Sequence, residues 1–343
     1  MDRKKFLTGS AALLSFPLSS FSASHEPEED LPPVIPHYLR KGDLIGITAP
    51  AGFMMEEEMR PAIQQIESWG YRTRLGSTIG KKDFTFAGTD KERADDFQQM
   101  LDDPEVKAIL CARGGYGAVR IIDQLKWDTF KKHPKWIIGF SDVTVFHSHI
   151  NRNLGFATIH SKMTNSFPED WSKAEPIQID TILSIQKALG GEQMEYNAGP
   201  NMANRLGKAE GVLVGGNLKT IESLAGSRSD LRTTGKILFV EDTGEYLYSI
   251  DRMFWNLKRS NKLSGLKGLI IGGFKIKKDE GGDEFGKTLE EIVMEKVKEY
   301  AYPVCFDFPV GHQKNNFALK CGVVHELVVG EEGCRLKEVS GRK

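Results

Sequence analysis

Trp136-Ile137-Ile138-Gly139-Phe140-Ser141-Asp142-Val143 is the stretch from which the fold can be read. Its first four residues form an apolar run of strand length, and residues 142–152 carry a helical pattern. A serine between a strand and a helix sits at a tight turn, its hydroxyl above the sheet edge. The same alternation recurs upstream. Residues 44–48, 71–75 and 108–112 read as strands, while 56–69, 90–101 (with Asp90 as N-cap) and 118 to about 125 read as helices. Strands alternating with helices from about 43 to 163 predict a parallel sheet with helices on both faces. Ligands of such sheets bind at the loops that follow the carboxyl ends of the strands.

Beyond residue 165 the pattern changes. Residues 166–206 combine a polar stretch, one helix at 177–189 and Gly190-Gly191, and read as a connector. After it, short strands (236–240, 269–272, 323–329) mix with helices at 217–224, 249–258 and 288–300. The expected fold class is therefore α/β, with an N-terminal parallel-sheet domain at 37–165 and a smaller β-rich α+β domain at 207–343. A length of 343 residues agrees with two domains of about 150 residues each.

Apolar residues make up 40% and charged residues 27% of the chain, as in soluble globular proteins. Lys+Arg at 46 against Asp+Glu at 47 leaves a formal charge of -1, so no nucleic-acid partner is expected. No run approaches the 18 or so apolar residues of a membrane-spanning helix, so stable membrane insertion is not expected either. Asp2-Arg3-Lys4-Lys5, a mildly apolar stretch from Phe6 to Phe21, and Ser22-Ala23-Ser24 follow signal-peptide grammar. Arg3-Lys4-Lys5-Phe6-Leu7 resembles a twin-arginine motif with Lys in the second place. Residues 1–24 are thus expected to be a leader, 25–36 an acidic, Pro-rich tether, and the protein exported to the periplasm; a cytoplasmic location is the alternative. The four cysteines, at 111, 305, 321 and 334, lack CxxC or zinc spacing, and Cys111 and Cys305 read as small buried hydrophobes. No metal and no cofactor is expected.

Several residues carry possible chemistry. Ser141 has the setting of a nucleophile elbow, although its G-x-S-x-G pattern is half met, and capping the following helix would equally explain it. Three glycines in Arg113-Gly114-Gly115-Tyr116-Gly117 let backbone amides face a ligand, or simply make a turn. A nucleophilic serine needs a base, and the base an orienting acid. His147 and His149 point about 200° apart on one helix and read as surface or locally hydrogen-bonded groups. His312 lies in a turn-like run after a strand signal, where functional polar residues concentrate. Glu241 closes the apolar strand 236–240, so its carboxylate must be paired, either with a histidine or with Arg252.

Taken in order, these segments carry a resemblance. Leu44-Ile45-Gly46-Ile47-Thr48-Ala49-Pro50, Arg113-Gly114-Gly115-Tyr116-Gly117, Gly139-Phe140-Ser141-Asp142, Gly215-Gly216-Asn217-Leu218, Glu241-Asp242-Thr243-Gly244-Glu245, Ile250-Asp251-Arg252-Met253 and Gly311-His312 with Asn316 are similar to motifs of the serine LD-carboxypeptidases (muramoyltetrapeptide carboxypeptidases). That family also includes the microcin C immunity proteases. The resemblance implies a catalytic Ser141, Glu241 and His312, with Gly115 and Asp142 amides as oxyanion hole and the site at the domain interface. It implies release of terminal D-alanine from a muropeptide tetrapeptide, Tyr116, Arg113 and Asn217 being candidate substrate contacts. A homodimer stays open, as do a microcin C-type peptide–nucleotide hydrolase and a non-catalytic wall-peptide binder. His160-Ser161-Lys162-Met163 departs from the His-Gly-Pro-Met often found in the family, and the leader departs from its usual cytoplasmic setting.

Overall fold

Residues buried on both faces of a parallel sheet must be apolar along the whole strand, and the N-terminal half of the chain obeys this. The computed structural model describes Leu31 and residues 33–339; the expected leader and the tether before Leu31 lie outside the described residues. The half runs β1 (Leu44–Thr48), α1 (Glu56–Ser68), β2 (Arg72–Leu75), α2 (Asp90–Asp102), β3 (Val106–Cys111), α3 (Ala118–Ile121), α4 (Asp128–Lys132), β4 (Trp136–Gly139), α5 (Thr144–Asn153) and β5 (Thr158–His160). β1 and β4 are buried at every residue, and in β3 only Lys107 is exposed. Trp136 and Ile138 enter one apolar core while Ile137 enters the other, as the two-residue period of a strand requires. The five strands pair in parallel in the order β5-β4-β3-β1-β2.

The second half runs α6 (Pro176–Gly190), β6 (Glu195–Ala198), β7 (Gly207–Asn217), α7 (Leu218–Ser223), β8 (Lys236–Glu245), α8 (Leu247–Arg259), β9 (Gly268–Ile276), α9 (Leu289–Val297), β10 (Val304–Cys305), β11 (Leu319–Cys321), β12 (Val324–Gly330) and β13 (Gly333–Glu338). Its sheet has the order β10-β9-β8-β7-β12-β13-β6. β7 to β10 are parallel, and β12, β13 and β6 add antiparallel to them. This mixed sheet is the expected second layer, with β6 contributed from the segment read as a connector. One strand crosses over: β11 pairs antiparallel with β5, Leu319 opposite His160, and extends the first sheet. All four cysteines are free and buried.

Two local expectations change. Thr89, not Asp90, caps α2: its hydroxyl accepts the Glu92 amide (3.2 Å) while the Glu92 carboxylate accepts the Thr89 amide (2.9 Å). This reciprocal capping box satisfies two amides and frees Asp90 for Arg120 (2.7 Å). His147 and His149 are not on a surface, for α5 is buried between the halves. Nε2 of His147 donates to the Gly139 carbonyl (2.9 Å), and Nδ1 of His149 pairs with Ser229 Oγ (2.9 Å).

The two sheets meet at the start of α5. Gly216 adopts φ +145°, and a Cβ there would lie 2.4 Å from Thr144 Oγ1. The same oxygen accepts the Asn217 amide (3.0 Å). Gly216→Ala should therefore cost about 2 kcal/mol by overpacking, read as a lower urea midpoint with an unchanged slope. An unchanged midpoint would mean that the seam has room for a methyl group.

Candidate active site

Ser141 follows β4 by two residues and opens a short 3-10 turn, 141–143, that leads into α5. Its φ is +62°, a left-handed conformation that costs a side-chain-bearing residue roughly 1–2 kcal/mol. Such strain persists only where surroundings enforce it, and it is characteristic of nucleophile elbows. Here the enforcement is visible. The Gly139 carbonyl before the turn accepts from His147 and from the Ser161 amide (3.1 Å). After the turn, the Asp142 carboxylate accepts the Ala118 amide (2.8 Å), tying it to α3.

Glu241 arrives from the other sheet. It lies in β8 at a shift of register against β9 and is fully buried, and its neighbour Asp242 is buried too. Alternating side chains send the two carboxylates to opposite faces, so each needs its own donors. Glu241 Oε2 accepts Nδ1 of His312 (2.5 Å) and the His312 backbone amide (3.1 Å). Asp242 accepts Asn217 Nδ2 (3.0 Å), the Lys219 amide (2.9 Å) and the Thr243 amide (2.7 Å). Arg252, the alternative partner of Glu241, instead stacks over Tyr248 at 5.3 Å.

The His312 loop is held against Glu241 from behind. Gly311 has φ +103°, and a Cβ there would sit 2.4 Å from Glu241 Cβ. Asn316, fully buried, accepts the Gly311 amide (2.7 Å). The ring of Phe140, adjacent to Ser141, lies 4.8 Å from the His312 ring. Serine turn and histidine–glutamate pair are thus neighbours through Phe140.

Two depressions flank this ridge. One, of about 380 Å³, is lined by Gly115, Tyr116, Ser141, Asp142, Asn217 and Asp242. The other, of about 430 Å³, is lined by Phe140, Lys162, Lys275, His312 and Gln313 among others. The first is acidic and the second basic. Burial raises the Asp142 and Asp242 carboxyls to about 6, against the amide donors that lower them. Burial, and then the charge of Lys275, lower Lys162 to about 8.

Of the residues expected at the site, Gly115, Tyr116, Asp142 and Asn217 share the Ser141 depression. Asn217 is also the N-cap of α7, its Oδ1 accepting the Thr220 amide (3.0 Å). Arg113 points elsewhere, donating to the Phe53 carbonyl (3.4 Å) and lying over that ring. Lys275 is a site residue the sequence reading does not name, and Asp242 enters it only beside Glu241 in a motif, without a role of its own; the signal for that role is its place in a strand whose two faces are both covered. Among the described residues no group of three or more His, Cys, Asp or Glu could hold a metal ion, and no helix is long and apolar enough to cross a membrane.

Comparison with known proteins identifies the family and the fold. A family model described as the LD-carboxypeptidase N-terminal domain matches residues 45–161, and one described as the LD-carboxypeptidase C-terminal domain matches 210–327. The chain is 32% identical over 308 residues to a probable murein peptide carboxypeptidase of Bacillus subtilis, covering 87% of this chain and 92% of that protein. It is 26% identical over 319 residues to the microcin C7 self-immunity protein of Escherichia coli, covering 85% and 92%. The crystal structure of a muramoyltetrapeptide carboxypeptidase from Oxalobacter formigenes superposes with a TM-score of 0.77 at 25% identity, over 88% of this chain and all of that one.

The raised aspartates have a consequence for stability. Between pH 6 and the ordinary carboxyl range near 4, the folded chain holds protons at Asp142 and Asp242 that the unfolded chain has lost. Both groups therefore favour folding increasingly as pH falls through 6. Asp242→Asn removes one contribution, so the unfolding midpoint of the variant should fall behind that of the parent progressively from pH 7 to pH 4. Buried histidines such as His147, lowered to about 4 by desolvation, act in the opposite sense but cancel in that difference. A constant gap between the two proteins across this range would refute the assignment.

Proposed function

The chain belongs to the LD-carboxypeptidase family and is a serine carboxypeptidase; on that premise we propose that Ser141, His312 and Glu241 form its catalytic triad and that it releases the terminal D-alanine of a muropeptide tetrapeptide. The observation that carries the reading is the buried Glu241–His312 pair at 2.5 Å, one aromatic ring away from a serine in left-handed conformation. Glu241, fully buried, holds Nδ1–H of His312 and leaves Nε2 as the acceptor. Nε2 takes the Ser141 proton as the hydroxyl oxygen attacks the amide carbonyl that precedes D-alanine. The amides of Gly115 and Asp142 hold the oxyanion, an effect of about 3–4 kcal/mol per donor in well-studied proteases. His312 then protonates the departing amine, leaving an ester on Ser141. Water activated by the same nitrogen hydrolyses the ester and restores the serine.

The murein peptide substrate is supported by what the relatives are named for, and the acidic depression beside Ser141 suits an acyl residue that carries an amine. D-alanine release from a disaccharide tetrapeptide tests the proposal. The parent should release it, and Ser141→Ala should be slower by at least about 10³-fold. Glu241→Gln, which keeps the shape and removes the charge, should lose roughly 10³-fold. No release by the parent, with hydrolysis of a peptidyl nucleotide instead, would transfer the triad to microcin-type substrates; binding without turnover would make the chain a wall-peptide receptor. We further propose export through residues 1–24. A mature N-terminus near residue 25 in the periplasm of the native host is the expected result, and an intact Met1 in the cytoplasm would overturn it.

A further inference from the structure

We infer that Lys162 selects substrates with a free terminal carboxylate, its ammonium receiving the anionic end of the departing residue in the depression that also contains His312. The inference rests on the triad reading above, because the direction of the scissile bond follows from it. A base that protonates the leaving amine must have that amine beside it, so the leaving residue occupies the His312 side and the acyl residue the Ser141 side. In a terminal α-amino acid the carboxylate is one carbon from the amine. A cation that reads it must therefore stand next to the histidine.

Lys162 stands there. It lies two residues beyond the carboxyl end of β5, and its ammonium donates to the carbonyl of Gln313 (2.6 Å), the residue after His312. The same ammonium lies 5.6 Å from the centre of the Phe140 ring. An ammonium has three protons, and the Gln313 carbonyl takes one. Among the described residues no carboxylate forms an ion pair with Lys162. Glu241 attracts it through space, but its Oε2 is held by His312 and its Oε1, buried without a hydrogen-bond partner, makes no ion pair with Lys162. Lys275 lines the same depression and adds a second positive charge, whereas Lys314 is neutralised by Glu175 (2.5 Å). Two cations facing one space, both without a carboxylate partner, repel each other. An anion between them relieves the repulsion and the desolvation of Lys162 together.

The test compares a muropeptide tetrapeptide ending in D-alanine with the same peptide ending in D-alaninamide. The parent should prefer the acid by about 10- to 100-fold in kcat/KM, the range expected of a charge-assisted hydrogen bond. In Lys162→Met the ratio should fall toward one, chiefly through KM for the acid, and Lys162→Arg should restore part of it. Thermal midpoints of the three proteins control for folding. A ratio unchanged in Lys162→Met, or a parent that uses acid and amide equally, overturns the inference while leaving the triad standing. Should the parent cleave neither peptide, calorimetric binding of both to Ser141→Ala decides. Tighter binding of the acid that depends on Lys162 keeps the inference and discards the catalytic reading. Equal binding, or none, discards the inference as well.

Discussion

A carboxylate with no exposure to water must find its hydrogen bonds inside the protein, and Glu241 finds them on a single residue. Leaving a buried charge unpaired costs several kcal/mol, so the loop that carries His312 has no freedom to sit elsewhere. One oxygen receives both the ring and the backbone of His312, which fixes the orientation of the imidazole and the height of the loop together. The remaining details answer to that pair. Gly311 has no side chain because Glu241 occupies its space, and Asn316 holds the Gly311 amide from the far side. The backbone contact between Gly273 and Val310 (2.8 Å) continues the same attachment along β9.

The serine is fixed by different means and from the other sheet. Its strained backbone is clamped at Gly139 by His147 and Ser161, and at Asp142 by the first turn of α3. Alignment of the two parts falls to the seam of Thr144, Gly216 and Asn217, one helical step beyond the turn. Asp242 ties the same Asn217 to β8, so the two neighbouring acids divide the labour: one orients the histidine, the other fastens the end of β7, which carries the seam, to β8.

Most of the first sheet was legible in the sequence because β1, β3 and β4 are buried on both faces and read as nearly unbroken apolar runs. The mixed second sheet was harder. β7 is interrupted by glycines that exist for close approach to Phe239 and Thr144, and β13 alternates buried with half-exposed residues. β6, also alternating, is an edge strand within the stretch whose composition reads as a connector. The serine, the glutamate and the histidine were legible as residue types at strand exits, but the choice between His312 and Arg252 as partner of Glu241 belonged to long-range geometry. Burial of His147 and His149 was hidden for the same reason, since α5 looks one-sided until the second half packs over it. Lys162 was visible only as an oddity of sequence; its neighbours come from residues 275 and 313, far along the chain.

The short strand β11 has a further consequence. It is built from residues 319–321, yet it lines the edge of a sheet whose other strands are complete by residue 160. During synthesis, that edge waits with its amides and carbonyls unpaired until nearly the entire chain is available. Closure of so long a loop makes folding slow and late. It also means that a chain cut short before residue 319 would leave β5 as an open sheet edge, ending at His160 two residues before Lys162, so that the edge strand is a check on the completeness of the chain.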